Sequence, residues 1–63
     1  MNTLYNVLNL FDLSSEIEIL DAEGHLLQEG NRGETDWQEQ LLDIKVDLII
    51  PGIVTKIILK HRG

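Results

Sequence analysis

The hydrophobic pattern is densest near the end of the chain. In Ile44–Lys60, IKVDLIIPGIVTKIILK, Ile44, Val46, Leu48 and Ile50 recur with period two around Lys45 and Asp47. That alternation predicts a half-buried strand, because successive side chains of a strand point to opposite faces. Ile53, Thr55, Ile57 and Leu59 repeat the pattern with Lys56 and Lys60 opposite. Ile49, Val54 and Ile58 then fall on the second face, which predicts a cover over it, either a helix or another subunit. Pro51 lacks an N–H and cannot sit mid-ladder, so Pro51-Gly52 marks the turn of a hairpin. A two-residue type II turn twists against a hairpin, which predicts a wider loop over Ile50–Val54.

Upstream, the period changes. Leu4, Val7, Leu8 and Phe11 lie at i, i+3, i+4 and i+7, one apolar stripe of a helix capped by Asn2 or Thr3 and running to about Asp12. Asn6 and Asn9 weaken its intrinsic propensity, so packing on the sheet must hold it. Glu16–Asp21 alternates again, with Ile17 and Ile19 inward. Asp21-Ala22-Glu23-Gly24 has Asp and Gly at the first and fourth positions of a type I turn, and His25–Glu29 returns as a strand. Gly30–Gly33 reads as a loop. Thr35 or Asp36 with Gln38 or Glu39 resembles a capping box, which predicts a helical turn near 35–42. His61–Gly63 is expected to be a frayed end.

The predicted fold is therefore α+β: one domain, 1–63, with an N-terminal helix on a four-stranded, mainly antiparallel sheet of two hairpins. The expected core is Leu4, Val7, Leu8, Phe11, Ile17, Ile19, Leu26, Leu41, Val46, Leu48, Ile57 and Leu59. The chain has 63 residues and no cysteine. So small a core is marginal alone, and without disulfides or thiolate–zinc sites the remaining remedy is oligomerisation, a dimer being favoured. The lack of cysteine fits a reducing cytoplasm. No apolar run is long enough to span a bilayer, and no signal-like segment is visible, so a soluble, membrane-free protein is expected.

Charge is unevenly placed. Residues 1–44 hold ten acids against Arg32, a net of −9; residues 45–63 hold Lys45, Lys56, Lys60 and Arg62 against Asp47, a net of +3. The acidic body argues against direct nucleic-acid binding, and the aromatic–basic interleaving of RNA modules is missing. No P-loop follows Gly30-Asn31-Arg32-Gly33. Asp21–Gly24 has the wrong spacing for a calcium loop. His25 beside Asp21 and Glu23 gives too few ligands for zinc, and Ser14, Ser15, His25 and Asp21 fix no triad. No catalytic, cofactor-binding or metal-binding residues are assigned. The interaction candidates are Trp37, Ile49, Val54 and Ile58; for Trp37 the competing role is a lid on the core.

Ile17, Ile19, Asp21, Gly24, Leu26, Gly30, Leu41, Leu42, Asp43, Val46 and Ile49 carry a resemblance to very short proteins of phages and prophages of Gram-positive bacteria. Those run from an apolar helix through a strand, a D-x-x-G turn, a second strand ending in glycine and an L-L-D segment to a closing hairpin. The chain departs from that pattern at Asn31–Gln38 and Pro51-Gly52. The resemblance implies a small α+β fold and no assigned activity. Two functions are expected to compete. One is a non-enzymatic, self-associating protein–protein interaction module. The other is an acidic phage-type inhibitor or nucleic-acid mimic that occupies a basic groove of a host protein.

Overall fold

The computed structural model describes residues 2–61, so Arg62 and Gly63 of the expected frayed end lie outside the described residues. The elements are α1 (Leu4–Leu8), β1 (Glu16–Leu20), β2 (Leu26–Asn31), α2 (Glu39–Leu42), β3 (Val46–Ile50) and β4 (Val54–Leu59). The α+β fold is as expected. The sheet has the order β2-β1-β4-β3, and its two antiparallel hairpins join through a parallel β1·β4 pair. A parallel pair needs a long crossover. The chain supplies one: it leaves β2 at one edge, crosses the inner face through α2 and enters β3 at the other edge.

α1 starts where Thr3 is placed to cap it. The Thr3 Oγ1 accepts from the Asn6 N–H at 3.4 Å, and the Asn6 Oδ1 accepts from the Thr3 N–H and hydroxyl. Asn6 thus does the work of the glutamate in a capping box. The helix stops at Leu8, short of the expected Asp12. The Asn9 side chain turns back to the Tyr5 carbonyl at 3.0 Å, the local competition that makes asparagine a poor interior residue. Arg32 then takes over the helix end: its Nε–H donates to the Leu8 carbonyl at 2.9 Å and its Nη2 to the Asn9 Oδ1 at 2.8 Å. The favourable end of the helix dipole for a cation is the C-terminus.

α1, α2 and the inner face of the sheet enclose the core: Leu4, Val7, Leu8, Ile17, Ile19, Leu41, Ile57 and Leu59. Phe11, Trp37, Leu42, Ile44, Val46 and Ile49 pack around it. Leu26 and Leu48 were expected inside but are half exposed. Each sits next to a β-bulge, Leu26 just before one and Leu48 just after one. In β3 the register slips between Val46 and Leu48, so that Val46 faces Leu59, Leu48 faces Ile58 and Ile49 faces Ile57. One extra residue, Asp47, turns Leu48 and Ile50 outward and Ile49 inward, reversing the expected faces. In β2 the bulge brings Leu26 beside Leu20 on the outer side.

α2 is the expected single turn, but its cap differs. Gln38 is the N-cap and its side chain makes no capping bond. Neither Thr35 nor Asp36 starts the helix, because Thr35 is held over Gly30. A Cβ on Gly30, where φ is 157°, would collide with the Thr35 Oγ1. Only a glycine lets that segment pass so close to β2.

Candidate functional site

The outer face of the sheet is the feature that the core does not explain. The registers align Leu26, Leu20, Ile58 and Leu48 as one row across all four strands. The next row along the strands is Glu29, Glu18, Lys56 and Ile50, and the one beyond it Asn31, Glu16 and Val54. Leu26 is 50% exposed, Leu48 51%, Ile50 43% and Val54 38%. Both helices lie on the inner side, where they bury Leu4, Val7, Leu8 and Leu41 against Ile17, Ile19, Ile57 and Leu59. Among the described residues no element covers the outer face.

The sequence-selected candidates separate on this geometry. Val54 and Ile58 lie on the outer face. Ile49 lies on the inner side and packs against the core, opposite to its expected face, because of the Asp47 bulge. Trp37 also packs against the core, and its Nε1–H donates to the Arg32 carbonyl at 3.0 Å. Its polar atom is therefore used internally, as befits a lid. Leu20, Leu26, Leu48 and Ile50 escaped the sequence reading as surface residues. The signal available was the triplet Leu48-Ile49-Ile50, which must place apolar side chains on both faces of any strand.

The sheet edges are less open than its outer face. At β3, the Val46 N–H donates to the Asn2 carbonyl at 2.9 Å and the Leu4 N–H to the Ile44 carbonyl at 2.8 Å, so residues 2–4 occupy the start of that edge. The bulge and Pro51 disrupt the rest. At β2, the bulge at Leu27 interrupts the edge, and the inward Gln28 amide donates to the Asp36 carbonyl and accepts from the Gln38 N–H, both at 2.9 Å, tying the 32–38 segment to the inner side of the strand. Bulges, proline and covering segments are the usual means of blunting an edge.

The charge asymmetry of the sequence becomes a left–right asymmetry of this face. Glu16, Glu18 and Glu29 stand on β1 and β2, and Lys56 stands on β4. Lys45 and Lys60 meet at the end of the β3–β4 hairpin, where the Lys60 N–H donates to the Lys45 carbonyl at 2.8 Å. Glu18 and Lys56 are register neighbours, yet among the described residues neither makes an ion pair within 4.0 Å.

The β1–β2 turn gathers the other polar cluster. Asp21 Oδ1 accepts from the His25 N–H at 2.8 Å and the Glu23 N–H at 2.9 Å, and its Oδ2 lies 3.2 Å from the His25 Nδ1. Asp21, Glu23 and His25 offer ligand atoms within 4.8 Å of one another. His61 Nε2 lies 3.6 Å from the Glu23 Oε1. These bonds explain the cluster as a turn. The His25 N–H, with further help from the His25 ring and the Glu23 N–H, holds the Asp21 carboxyl below its ordinary pKa. Beside the turn, a groove of about 270 Å³ is lined by Leu27, Leu41, Ile44 and Leu59 with Lys60 and His61. Among the described residues no helix is long and apolar enough to cross a membrane.

Comparison with known proteins adds no relative: no family model matches the chain, and neither a curated protein nor a solved structure matches it.

Proposed function

We propose that this protein is a non-enzymatic interaction module that associates with a second copy of itself through the outer face of its sheet. The aliphatic row Leu26–Leu20–Ile58–Leu48, uncovered on a domain with so few core residues, carries the reading. Contiguous exposed apolar surface is costly in a small soluble body and marks an interaction site. The blunted edges favour stacking of faces over strand addition. The absence of cysteine supports a reducing compartment, the cytoplasm, as the place of action.

The acidic residues weigh against the alternative of a polyanion mimic. Glu16, Glu18 and Glu29 are on the outer face, Asp21 and Glu23 on the β1–β2 turn, and Glu39 and Asp43 at the first residue and the C-cap of α2 across the inner face. A mimic needs its carboxylates on one side.

Sedimentation equilibrium of the full chain from micromolar to millimolar concentration tests the proposal. The apparent mass should rise from 7.2 kDa toward twice that value. The face is small: with strands about 4.8 Å apart and five residues long it measures roughly 19 by 17 Å. That is below the roughly 800 Å² per partner of a standard interface, so a weak, reversible dimer is expected. A monomer at every concentration would end the proposal.

A further inference from the structure

Resting on that reading, we infer that the two copies stack with their two-fold axis parallel to the strands, so that Glu18 of one copy faces the partner's Lys56. Two aligned sheets can be related by a two-fold axis in the plane between them, either along the strands or across them. An axis across the strands lays each strand over its own copy. The acidic β1–β2 half would then meet the acidic half: with the axis on the aliphatic row, so that this row still stacks on itself, Glu18 comes over the partner's β1–β2 turn and Lys56 comes over the partner's Lys60. Like charges held close in a partly dry interface are repulsive.

An axis along the strands reverses the strand order instead. The β2–β1 half of one copy lies over the β4–β3 half of the other. The aliphatic row stacks on itself reversed, placing Leu20 over the partner's Ile58 and Leu26 over the partner's Leu48. In the next row Glu18 meets the partner's Lys56, twice by symmetry. Both side chains are long enough to bridge sheets packed about 10 Å apart. Neither has an ion-pair partner among the described residues, so each is available. The same axis thus satisfies the apolar row and the charges together, and the cross-strand axis satisfies only the first.

Charge exchange in the full-length protein tests the axis. Glu18→Lys and Lys56→Glu should each raise the dimer dissociation constant about tenfold at low salt, and the double exchange should bring it back to within about threefold of the parent. Both positions are on the outer face, so folding should survive, and circular dichroism checks it. Leu48→Glu, run in parallel, reads the face and not the axis. If Leu48→Glu dissociates the dimer but the double exchange restores nothing, the axis is wrong and the face stands. If Leu48→Glu leaves the dimer intact, the face is wrong and the axis falls with it.

Discussion

Two neighbouring rows of the sheet, one on each face, are built mainly from aliphatic residues and meet opposite environments. The inner row Gln28–Ile19–Ile57–Ile49 and the outer row Leu26–Leu20–Ile58–Leu48 are adjacent along the strands. Ile19 and Ile57 are 0% exposed, whereas Leu26 and Leu48 are about half exposed, at 50% and 51%. Apolar composition alone therefore does not identify a core. What distinguishes the faces is the cover: α1, α2 and Trp37 close the inner one. The inner face is spent on folding, and the outer face, which nothing among the described residues covers, is the one proposed for association.

The sharpest way to break that comparison is to cut equally into both faces. Ile19→Ala removes a fully buried side chain and should cost about 2–5 kcal/mol. A domain this size holds only about 3–9 kcal/mol in all, so urea denaturation should find it largely unfolded or close to it. Ile58→Ala on the outer face should cost the isolated monomer much less, and should weaken association instead. Equal losses of monomer stability at the two positions would mean the faces are not divided in this way.

Gly30→Ala comes next. It probes how the 32–38 segment is seated beside the inner face. The new Cβ would meet the Thr35 side chain, and the segment must shift. Overpacking of this kind costs about 1–3 kcal/mol. Adding Thr35→Ser, which trims a methyl group but keeps the colliding oxygen, should recover little; Thr35→Ala, which removes that oxygen, should recover more. A reversed order would place the close contact elsewhere. Thr3→Ala should cost about 1 kcal/mol through loss of the α1 cap, measured as a shift in the denaturation midpoint without a change in slope.

How much of this was legible beforehand depends on whether the pleat runs unbroken. In β1 it does: Ile17 and Ile19 alternate with Glu16 and Glu18, and both are buried as read. The Thr3 cap, the Asp21–Gly24 turn and the Pro51–Ile53 loop also follow from local chemistry. In β3 and β2 a bulge adds one residue and shifts the phase of the pleat, so that Leu48, after the β3 bulge, and Leu26, before the β2 bulge, change face. Nothing in the residue types of Val46-Asp47-Leu48 announces the slip, because Leu48-Ile49-Ile50 suits either phase. The β3 slip moved Leu48 out of the expected core and Ile49 into it, and the β2 bulge moved Leu26 out. The parallel β1·β4 pairing was hidden for another reason: the two strands are joined only through contacts distant in sequence. The excess of acid in residues 1–44 was plain, but that three of those acids, Glu16, Glu18 and Glu29, share one half of the outer face required the strand order.

The smallest effect should come from the turn, which belongs to neither face and so serves as a control on both. Asp21 is partly exposed, and its carboxyl is held below the ordinary 3.8 mainly by the His25 N–H. A depressed folded-state value means that the unfolded chain binds the proton first. The stability that the group lends is present in full above the unfolded value and is lost as pH falls through the folded one. Denaturation midpoints taken from neutral pH downward should therefore show a small loss below about pH 4, which Asp21→Asn removes from the profile. The carboxyl resonance of Asp21 should titrate with a midpoint under 3.8. Asp21 adjoins the end of the aliphatic row, but its carboxylate is bonded within the turn to the His25 and Glu23 N–H groups, so the dimer dissociation constant of Asp21→Asn should match that of the parent at neutral pH. A change there would mean that the association surface reaches round the sheet to the β1–β2 turn, and the division between the faces would have to be redrawn.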